Sequence, residues 1–346
     1  MKTSANVRKN KSGNLFVKFA FYFLMKLLKV QRYSAKHKKV WDDFVSKVEL
    51  HSILFYRDYM EYHSDRFTDY SLMVYEDQKL IAIMPANIDE NGDVHSHQGL
   101  SYGGVLNKSP LLFVNLLEVY QKIVEFLSNQ KIKNLIIKHI PSCFTLSRDT
   151  NLIFSWLESD KYRTDIYSFI PKRNYDKPNK HRLRHIKKST KKNFKVKRIS
   201  DFSIFWDKLL IPNLLDRFNV KPVHKSSEIQ FLAEFFPENI LCYGLYEKED
   251  LRAGVVLFIH NKIVHTQYIA GDKNRKDGSL DYLINYLILK YNGQYIFSFG
   301  SSSENNGNQI NSGLLNWKES FFSSNGIQEF YKIKTIKHSK LKSRLY

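Results

Sequence analysis

Cysteine is scarce in this sequence, and its scarcity excludes two kinds of structure. Among 346 residues only Cys143 and Cys242 are cysteines, and apolar or aromatic residues surround both of them. Two isolated cysteines cannot form a disulfide framework or a cysteine-based metal site. The sequence therefore predicts a protein of a reducing, cytoplasmic compartment.

Acidic residues are missing from three segments, although the whole chain contains 34 of them. Residues 1–40 and 177–198 each contain eleven Lys or Arg, and residues 331–346 contain six. These segments hold 28 of the 54 basic residues, so the acids outnumber the other 26. We expect a mildly acidic body with three basic attachments. Such blocks bind membrane surfaces, nucleic acid or phosphate groups, or act as solubilising charge runs.

A long apolar run is also missing. Residues 15–30 are apolar except for Lys18, Lys26 and Lys29, which fall on one side of a helix. The run is too short and too charged for a spanning helix, which needs about 20 apolar residues, and no cleavage site of a secretory signal follows it. The pattern predicts an amphipathic helix on an anionic membrane surface. The alternative is a helix packed on the body of the protein.

Hydrophobic periodicity predicts the same order of elements twice. In the first half it predicts helices at 41–64 and 109–127, the second opened by Ser109 and Pro110, and strands at 71–75, 80–86, 94–104 and 135–140. In the second half it predicts helices at 202–218, 226–236 and 279–291, and strands at 241–247, 253–260, 262–270 and 295–299. The repetition indicates two copies of one α/β domain fold.

The second half carries a candidate anion-binding motif. Gly278 and Ser279 stand at the start of the predicted helix 279–291, and Arg275 precedes them. Free backbone N–H groups and the helix dipole favour an anion at such a position. These three residues are therefore candidates for binding a phosphate-bearing acyl donor, and a simple helix cap is the alternative.

Four stretches resemble known acyltransferases. The basic run 181–192 is similar to the helix that opens the second domain of FemAB-like proteins. Arg275-x-x-Gly278 matches part of the loop that holds the acyl-CoA pyrophosphate in enzymes of the GNAT type. The run 299–304, with the Trp317-Lys318 pair that follows it, resembles the closing motif of the FemAB-like family, and 95–105 looks like the central strand and loop of its first domain.

The resemblance covers about residues 38–333 and implies a fold. It implies an α/β (α+β) protein with two GNAT-like domains in tandem, each a mixed, mainly antiparallel sheet flanked by helices. The domains would span 36–170 and 201–333. A basic amphipathic segment at 1–35, a basic linker helix at 171–200 and a basic tail at 334–346 would accompany them. The pyrophosphate loop departs from the family pattern because Leu280 replaces a small residue and Asp277 adds a negative charge.

The resemblance also implies an activity. A FemAB/GNAT-like acyltransferase moves an acyl or aminoacyl group from a CoA thioester or an aminoacyl-tRNA to an amine or hydroxyl. The acceptor would be a cell-envelope saccharide or peptidoglycan-type precursor. Transfer would be direct, and we expect no covalent intermediate because neither cysteine has a recognisable nucleophile setting. The departures at Asp277 and Leu280 leave the donor open between acyl-CoA and aminoacyl-tRNA.

Two residues are candidates for the chemistry. Glu304 follows a strand end in a Gly/Ser/Asn loop and is the candidate general base, since the attacking amine must lose a proton. The alternative for Glu304 is a cap on the helix near Asn311. His265, on the central strand of the second half, is the second candidate, against a histidine that merely completes its strand. Exposed backbone N–H groups of that strand would stabilise the oxyanion.

Further residues are candidates for substrate binding. In the first half His97, Gln98 and Tyr102 would form a polar cleft for sugar hydroxyls, and Arg182 and Arg184 in the basic run would bind phosphates. His95 shares a strand face with His97, but no third ligand with clear spacing follows. We therefore predict no metal.

The basic segments leave the partners open. Contact with tRNA, with acidic lipid or lipid diphosphate, or with the donor's phosphates would suit residues 180–198. Phosphate contact without base reading is expected, because aromatic residues are few there. The protein would be cytoplasmic, with a possible peripheral position at the inner face of the membrane. The competing hypothesis is a non-catalytic protein with a degenerate GNAT fold that binds anionic lipid or RNA.

Overall fold

The computed structural model describes residues 27–48, 52–108, 111–144, 152–172, 175–273 and 277–338. They form an α/β structure with an eleven-stranded mixed sheet, a four-stranded sheet and a two-stranded hairpin. Helices flank the sheets, as the sequence predicted. Within these ranges no helix has both the length and the apolar character that a membrane span requires.

The strands are numbered in chain order. They are β1 Leu28–Arg32, β2 Thr68–Asp69, β3 Leu72–Glu76, β4 Lys79–Met84, β5 Asn87–Ile88, β6 Val94–His95, β7 Leu106–Asn107, β8 Asn134–Lys138, β9 Asp160–Ile170, β10 Phe194–Ile199, β11 Ile240–Glu247, β12 Asp250–His260, β13 Ile263–Gly271, β14 Ile296–Ser301, β15 Ser303–Glu304, β16 Gln309–Ile310 and β17 Ser324–Lys334.

The helices are numbered in the same way. They are α1 Lys38–Val45, α2 Arg57–Glu61, α3 Phe113–Asn129, α4 Leu152–Trp156, α5 Lys180–Thr190, α6 Ser203–Phe205, α7 Ile211–Phe218, α8 Ser226–Phe235, α9 Ser279–Tyr291 and α10 Ser312–Glu319. A π-helical turn, Trp206–Leu210, joins α6 to α7. Short 3₁₀ turns occur at Ala35–His37, Ile53–Phe55, Asn305–Gly307 and Thr335–Lys337.

The two halves of the chain share the large sheet by exchanging strands. Its order is β10-β11-β12-β13-β14-β9-β17-β8-β6-β5-β2. Strand β9, from the first half of the chain, pairs antiparallel with β14 of the second half. Strand β17, from the end of the chain, pairs with β8 of the first half and with β9. The domain limits 36–170 and 201–333 stay a prediction, and these exchanged strands join the two halves into one sheet.

Each half contains one parallel strand pair that is short. In the first half β6 pairs with β8 only from Val94 to His95, and in the second half β13 pairs with β14 only from Ile263 to His265. Beyond these residues the two strands of each pair separate. In the first half the loop after β6 takes up the backbone of β8, because the N–H groups of Ser96 and Gly103 donate to the carbonyl oxygens of Ile136 and Lys138. In the second half no described strand pairs with the edge of β13 beyond His265, and free backbone groups at such an edge are available to a ligand.

Three apolar clusters form the core. One packs α3 on the sheets of the first half and includes Ile123 and Ile137. A second packs α9 on the sheet of the second half. The third lies between the halves and joins residues such as Trp41 and Tyr102 to Trp206. The buried interface explains why two similar units fold as one body.

Several predicted elements in the first half are wrong. The amphipathic helix predicted at 15–30 reaches into β1, which is a strand paired antiparallel with β3; residues 15–26 lie outside the described part. The helix predicted at 41–64 is broken into α1, a 3₁₀ turn and α2. Its many aromatic residues are buried from several sides, so tertiary packing overrides the helical spacing.

Other corrections concern turns and basic residues. Of the strand predicted at 94–104 only β6 is a strand, because the chain turns at His97, whose φ is 68°. The basic helix predicted at 180–198 ends at Thr190, and β10 follows as the edge strand of the large sheet. Ser109 and Pro110 lie outside the described residues, and α3 begins at Phe113. The prediction missed β9 and β17, whereas the helix 279–291 is confirmed.

Candidate active site

The point where β13 and β14 separate gathers polar side chains of the second half. His265 is the last residue of β13 that pairs with β14, opposite Ser298. Its Nδ1 lies 3.1 Å from the hydroxyl oxygen of Ser298. Lys318 of α10 donates from Nζ to the carbonyl oxygens of Gly300 and Ser301, at 3.0 and 2.7 Å. A histidine, a serine and a lysine thus surround the start of the gap.

Lys318 is the most unusual residue of this group. It is 2% exposed, and among the described residues no carboxylate forms an ion pair with it. Burial lowers its pKa from 10.5 to about 7, because an ammonium group loses its hydration there. Sequence reasoning assigned it no role. The only signal was the Trp317-Lys318 pair in the FemAB-like closing motif.

His265 is neutral near pH 7. Burial lowers its pKa to about 4, and the nearby charge of Lys318 acts in the same direction. Its ring lies nearly parallel to that of Tyr167, with 6.5 Å between centroids. His265 can therefore accept or donate a hydrogen bond without carrying a charge, which suits a positioning role.

Backbone groups of β13 are exposed to the gap. A β-bulge interrupts the pairing of β12 with β13, because Val256 pairs with Tyr268 while the next residue, Leu257, pairs with Thr266. Gln267 is the extra residue. Bulges of this kind are common beside active sites, where they redirect backbone groups. The edge of β13 beyond His265 faces β14 but does not pair with it, so its N–H groups are candidate donors to an oxyanion.

A cavity of about 400 Å³ lies beside the start of α9. The predicted residues Arg182 and Ser279 line it, together with Gly271 and Trp317. The guanidinium of Arg182 forms an ion pair with the carboxylate of Asp281. The indole nitrogen of Trp317 donates to the same carboxylate at 2.9 Å. Arg182 is therefore held in place at the cavity wall.

The N-terminus of α9 already has an anion. The carboxylate of Asp277 accepts from the backbone N–H of Ser279 at 2.9 Å and from Lys192 and Arg252 at 2.9 and 2.6 Å. Burial alone would raise its pKa, but hydrogen bonds, first of all that of Lys192, hold the pKa of Asp277 below its usual value. This carboxylate takes up one backbone N–H of the helix start at which the sequence predicted a phosphate, and the binding role of Gly278 and Ser279 stays a prediction.

Gly278, which follows Asp277, is closely packed against α5. Its φ is 79°, and a Cβ there would lie 2.6 Å from the carbonyl oxygen of His185 on α5. Only glycine fits this position. Arg275 lies outside the described residues, so its predicted role stays a prediction. Arg184 is on the exposed face of α5 and does not line the cavity.

A second cavity, of about 500 Å³, lies in the first half. The predicted residues His97 and Gln98 line it, but Tyr102 does not. Tyr102 is buried between the halves, and its hydroxyl lies 3.2 Å from Nε2 of His260 and 3.4 Å from the hydroxyl of Ser52. The remaining lining residues are His95, Ser96, Ile136, Lys138, Tyr162, Arg163, Asn306, Asn308 and Phe330.

Glu304 lies in the small hairpin of β15 and β16 and lines neither cavity. Its Oε1 accepts from the side-chain amide of Asn311 at 2.7 Å. Asn311 in turn caps α10 by accepting from the backbone N–H of Leu314 at 2.9 Å. Asn311 is thus the cap and Glu304 supports it, which is close to the structural alternative considered above; the role of general base stays a prediction.

His95 of β6 and His97, two residues after it, do not form a metal site with their described neighbours. His95 pairs through Nε2 with the carboxylate of Asp89 at 2.9 Å, and His97 stacks on the ring of His63 with 5.0 Å between centroids. Within the described ranges no three His, Cys, Asp or Glu side chains are grouped as metal ligands.

Comparison with known proteins identifies the fold. No family model and no curated protein matches the sequence. Among solved structures, FemX is similar over 90% of this chain and 99% of its own, with 11% identity and a TM-score of 0.62. L-PGS from Bacillus licheniformis is similar over 90% of this chain and 95% of its own, with 9% identity and a TM-score of 0.53.

A third similar structure is the C-terminal domain of a protein assigned as a lysylphosphatidylglycerol synthetase from Agrobacterium fabrum. It covers 83% of this chain and 93% of its own, with 9% identity and a TM-score of 0.53. At such low identity these similarities establish the fold and nothing finer. The predicted fold class, two GNAT-like units in tandem, and the resemblance to FemAB-like proteins are confirmed at that level.

Proposed function

We propose that this protein is an acyltransferase that moves an acyl or aminoacyl group directly from a donor ester or thioester to an amine or hydroxyl. The gap between β13 and β14 is the proposed transfer site. The observation that carries the proposal is the buried Lys318 beside neutral His265, at the start of a strand edge that pairs with nothing in the described sheet.

The chemistry requires little beyond positioned groups. The nucleophile attacks the acyl carbonyl as the general base takes its proton, and the oxyanion forms. The bond from the carbonyl carbon to the thiol sulfur or ribose oxygen of the donor then breaks, and the proton passes to that leaving atom. Backbone N–H groups of β13 beyond His265 would stabilise the oxyanion. Lys318 is a positioning residue that holds the carbonyls of Gly300 and Ser301, and hence the bent end of β14. Glu304 remains the proposed general base.

An aminoacyl-tRNA fits the donor side better than acyl-CoA. The Asp277 carboxylate would repel a pyrophosphate at the start of α9. Its cationic partners Lys192 and Arg252 are shared with Glu247 and Asp272, which leaves the group with an excess of negative charge. An aminoacyl ester of tRNA needs no pyrophosphate there. The exposed basic residues of α5, among them Arg184, provide a surface for the phosphates of an RNA.

The acceptor would bind in the first half. His97 and Gln98 line its cavity with polar groups that suit sugar hydroxyls, and the residues Arg163, Asp165 and Tyr167 of β9 lead from the cavity towards His265. A cell-envelope saccharide or peptidoglycan-type precursor is the proposed acceptor. We place the protein in the cytoplasm, with a peripheral position at the membrane.

A second candidate function is non-catalytic binding of anionic lipid or RNA. The exposed basic face of α5 favours this alternative. The two functions differ in their response to the acyl group of the donor. A surface that contacts phosphates alone cannot distinguish aminoacylated from deacylated tRNA.

A thermal-shift titration separates the two functions. Purified protein is titrated with aminoacyl-tRNA, deacylated tRNA, acetyl-CoA and free CoA, because a ligand that binds only the folded state raises the unfolding midpoint. The proposed function predicts a larger shift with aminoacyl-tRNA than with deacylated tRNA. A larger shift with acetyl-CoA than with CoA would keep the transferase and change its donor. Equal shifts with both RNAs, and none with CoA compounds, would favour the binding protein.

A further inference from the structure

The first half carries an exposed apolar face that the proposed transfer site does not use. Leu112, Phe113 and Val114, at the start of α3, are between 39% and 69% exposed. Leu152 and Trp156, one turn apart on α4, are 56% and 47% exposed. The rings of Phe113 and Trp156 are in contact, with 6.3 Å between centroids. The two helices therefore form one continuous surface, called here the α3–α4 face.

Helix α4 is apolar on both of its sides. Ile153 and Phe154 are buried in the core of the first half, and the ring of Phe154 stacks on that of Tyr331 with 4.1 Å between centroids. The exposed Leu152 and Trp156 thus lie on a helix that is held firmly from below. A helix with apolar residues all round is normally covered by another apolar phase, and contiguous exposed apolar patches mark sites of interaction.

The α3–α4 face lies at the end of the four-stranded sheet at which the described chain begins. The carbonyl oxygen of Leu27 accepts from the backbone N–H of Asp77, in the turn between β3 and β4, at 3.2 Å. Strand β7 is antiparallel to β4 and so runs towards the same turn. The hydroxyl of Tyr120, two turns into α3, accepts from the N–H of Val105, just before β7. Helix α3 therefore begins near the turn and runs back along the sheet, so residues 1–26 join the described body at the end that carries the face.

The charges at this end favour an anionic partner. Residues 1–26 contain six Lys or Arg and no acid, and ten of the twelve residues 15–26 are apolar. Within the described elements, neither the first turn of α3 nor α4 contains an acidic residue. Exposed Lys29 and Lys79 lie beside the turn, with Asp77 as an exposed acid. An anionic bilayer offers a negative surface and an apolar layer together.

A second copy of the chain fits this face less well. In a symmetric dimer the same patch of both subunits meets. The two basic segments 1–26 would then lie close together and repel each other. A bilayer with acidic lipids instead attracts the segment and covers the apolar side chains.

We propose that the α3–α4 face rests on an anionic lipid bilayer, with Phe113 and Trp156 in its interfacial layer, where aromatic side chains are favoured. The basic segment 1–26 would be a second attachment at the same end of the molecule. Two attachments on one body strengthen each other, because the first raises the effective concentration of the second. The inference rests on the proposed function for the peripheral position at the membrane, and it assigns a surface to that position.

Binding of the full chain to vesicles, without donor or acceptor, tests this proposal. The vesicles contain phosphatidylcholine alone or equal parts of phosphatidylcholine and phosphatidylglycerol. The proteins are wild type, the double variant Phe113→Ser/Trp156→Ser and the control Phe231→Ser/Phe235→Ser, which removes a similarly exposed aromatic pair from α8. Wild type and control should bind the mixed vesicles at least about tenfold more tightly than the neutral ones. The double variant should lose about tenfold or more of its affinity for the mixed vesicles.

Brominated lipid chains locate the contact, because bromine quenches the fluorescence of a nearby tryptophan. Trp156 is exposed, whereas Trp41 and Trp206 are buried. Mixed vesicles with brominated chains should quench wild type much more than Trp156→Phe, in which an aromatic ring remains for binding. Circular dichroism checks that each variant is folded, and folding is expected because the changed side chains are exposed.

Three results would overturn the proposal. The first is equal affinity of wild type and the double variant for mixed vesicles, or equal quenching of wild type and Trp156→Phe. The second is a lower unfolding midpoint of the double variant with unchanged vesicle binding, which would show that the chain covers its own face. The third is self-association that only the double variant abolishes, which would assign the face to a second copy. Transfer enters none of these measurements, so a protein that binds vesicles but supports no transfer would refute the proposed chemistry and keep the membrane surface.

Discussion

The two halves of the protein use the same gap between parallel strands in different ways. In the first half the gap between β6 and β8 opens on a cavity of about 500 Å³ that contains Lys138. In the second half the gap between β13 and β14 begins beside Lys318, which is 2% exposed. The proposed function assigns the first gap to acceptor binding and the second to acyl transfer.

The lysines beside the two gaps, Lys138 and Lys318, differ in their hydrogen-bond partners and in their pKa values. Lys138 has one carbonyl partner and a pKa lowered to about 8. Lys318 has two carbonyl partners and a pKa lowered to about 7. The more deeply buried lysine is thus the one that fixes the strand end. Under the proposed function, one copy of the repeated fold binds the acceptor while the other positions the reaction.

Replacing Lys318 should have the largest effect on activity. In Lys318→Met the carbonyls of Gly300 and Ser301 lose their donor, the end of β14 shifts, and the transfer rate should fall about 100-fold or more, as for the loss of one preorganised donor. The measurement is a single-turnover transfer assay. Lys262→Met, at an exposed lysine just before β13, is the control, and equal rates in both variants would remove Lys318 from the site.

Replacing Glu304 should have the next largest effect. Glutamine keeps an oxygen that can accept from Asn311 but cannot take a proton, so Glu304→Gln should lower turnover more than about tenfold at an unchanged unfolding midpoint. Steady-state rates and a thermal melt test this. Glu249→Gln, in an exposed turn, serves as control. Unchanged turnover would leave Glu304 with the helix cap alone.

Replacing Asp277 tests the argument that its carboxylate keeps a pyrophosphate away from the start of α9. In Asp277→Ala the start of α9 loses its anion. Lys192 and Arg252 each lose one carboxylate partner but keep Glu247, and Arg252 also keeps Asp272. The free energy of unfolding should fall by about 1–3 kcal/mol, and inorganic pyrophosphate should bind more tightly than to wild type. Urea denaturation and calorimetry measure the two effects, with exposed Asp250→Ala as control. Unchanged pyrophosphate affinity would contradict the argument about the donor.

The pH dependence of stability should separate the two lysines. The pKa of each is lower in the folded than in the unfolded protein, so the unfolded chain binds more protons and stability rises with pH. This contribution begins near pH 7 for Lys318 and near pH 8 for Lys138, with a slope of at most about 1.4 kcal/mol per pH unit. Urea denaturation of wild type and of each lysine-to-methionine variant from pH 6 to about pH 9 measures it. A difference between wild type and variant that does not change with pH would contradict the assigned burial.

Sequence reasoning worked best where one element carries a complete pattern. The helix Ser279–Tyr291 was predicted with its limits because its apolar residues recur on one face. The strands β9 and β17 were not predicted because charged residues interrupt their apolar pattern. Their exchange between the halves depends on contacts between residues that are distant in sequence. The long helix predicted at 41–64 failed for the opposite reason, since its apolar residues are packed from several sides.

The site was predictable to a similar extent. His97 and Gln98 share a cavity, Arg182 and Ser279 share another, and His265 lies where β13 leaves β14. Lys138 and Lys318 were missed because a lysine in a sequence suggests an exposed side chain. Only the fold shows that both are enclosed. Asp277 stood out in the sequence as a departure, and the structure shows which groups it binds.

Hydrogen exchange of the bound protein tests the central assignment most directly. Amide exchange is followed by mass spectrometry with aminoacyl-tRNA and, separately, with deacylated tRNA. The acyl group should protect amides of β13 in residues 266–271 only when it is present, because those N–H groups would then bind its carbonyl. Protection confined to the basic helix Lys180–Thr190, and equal for both RNAs, would contradict a transfer site between β13 and β14.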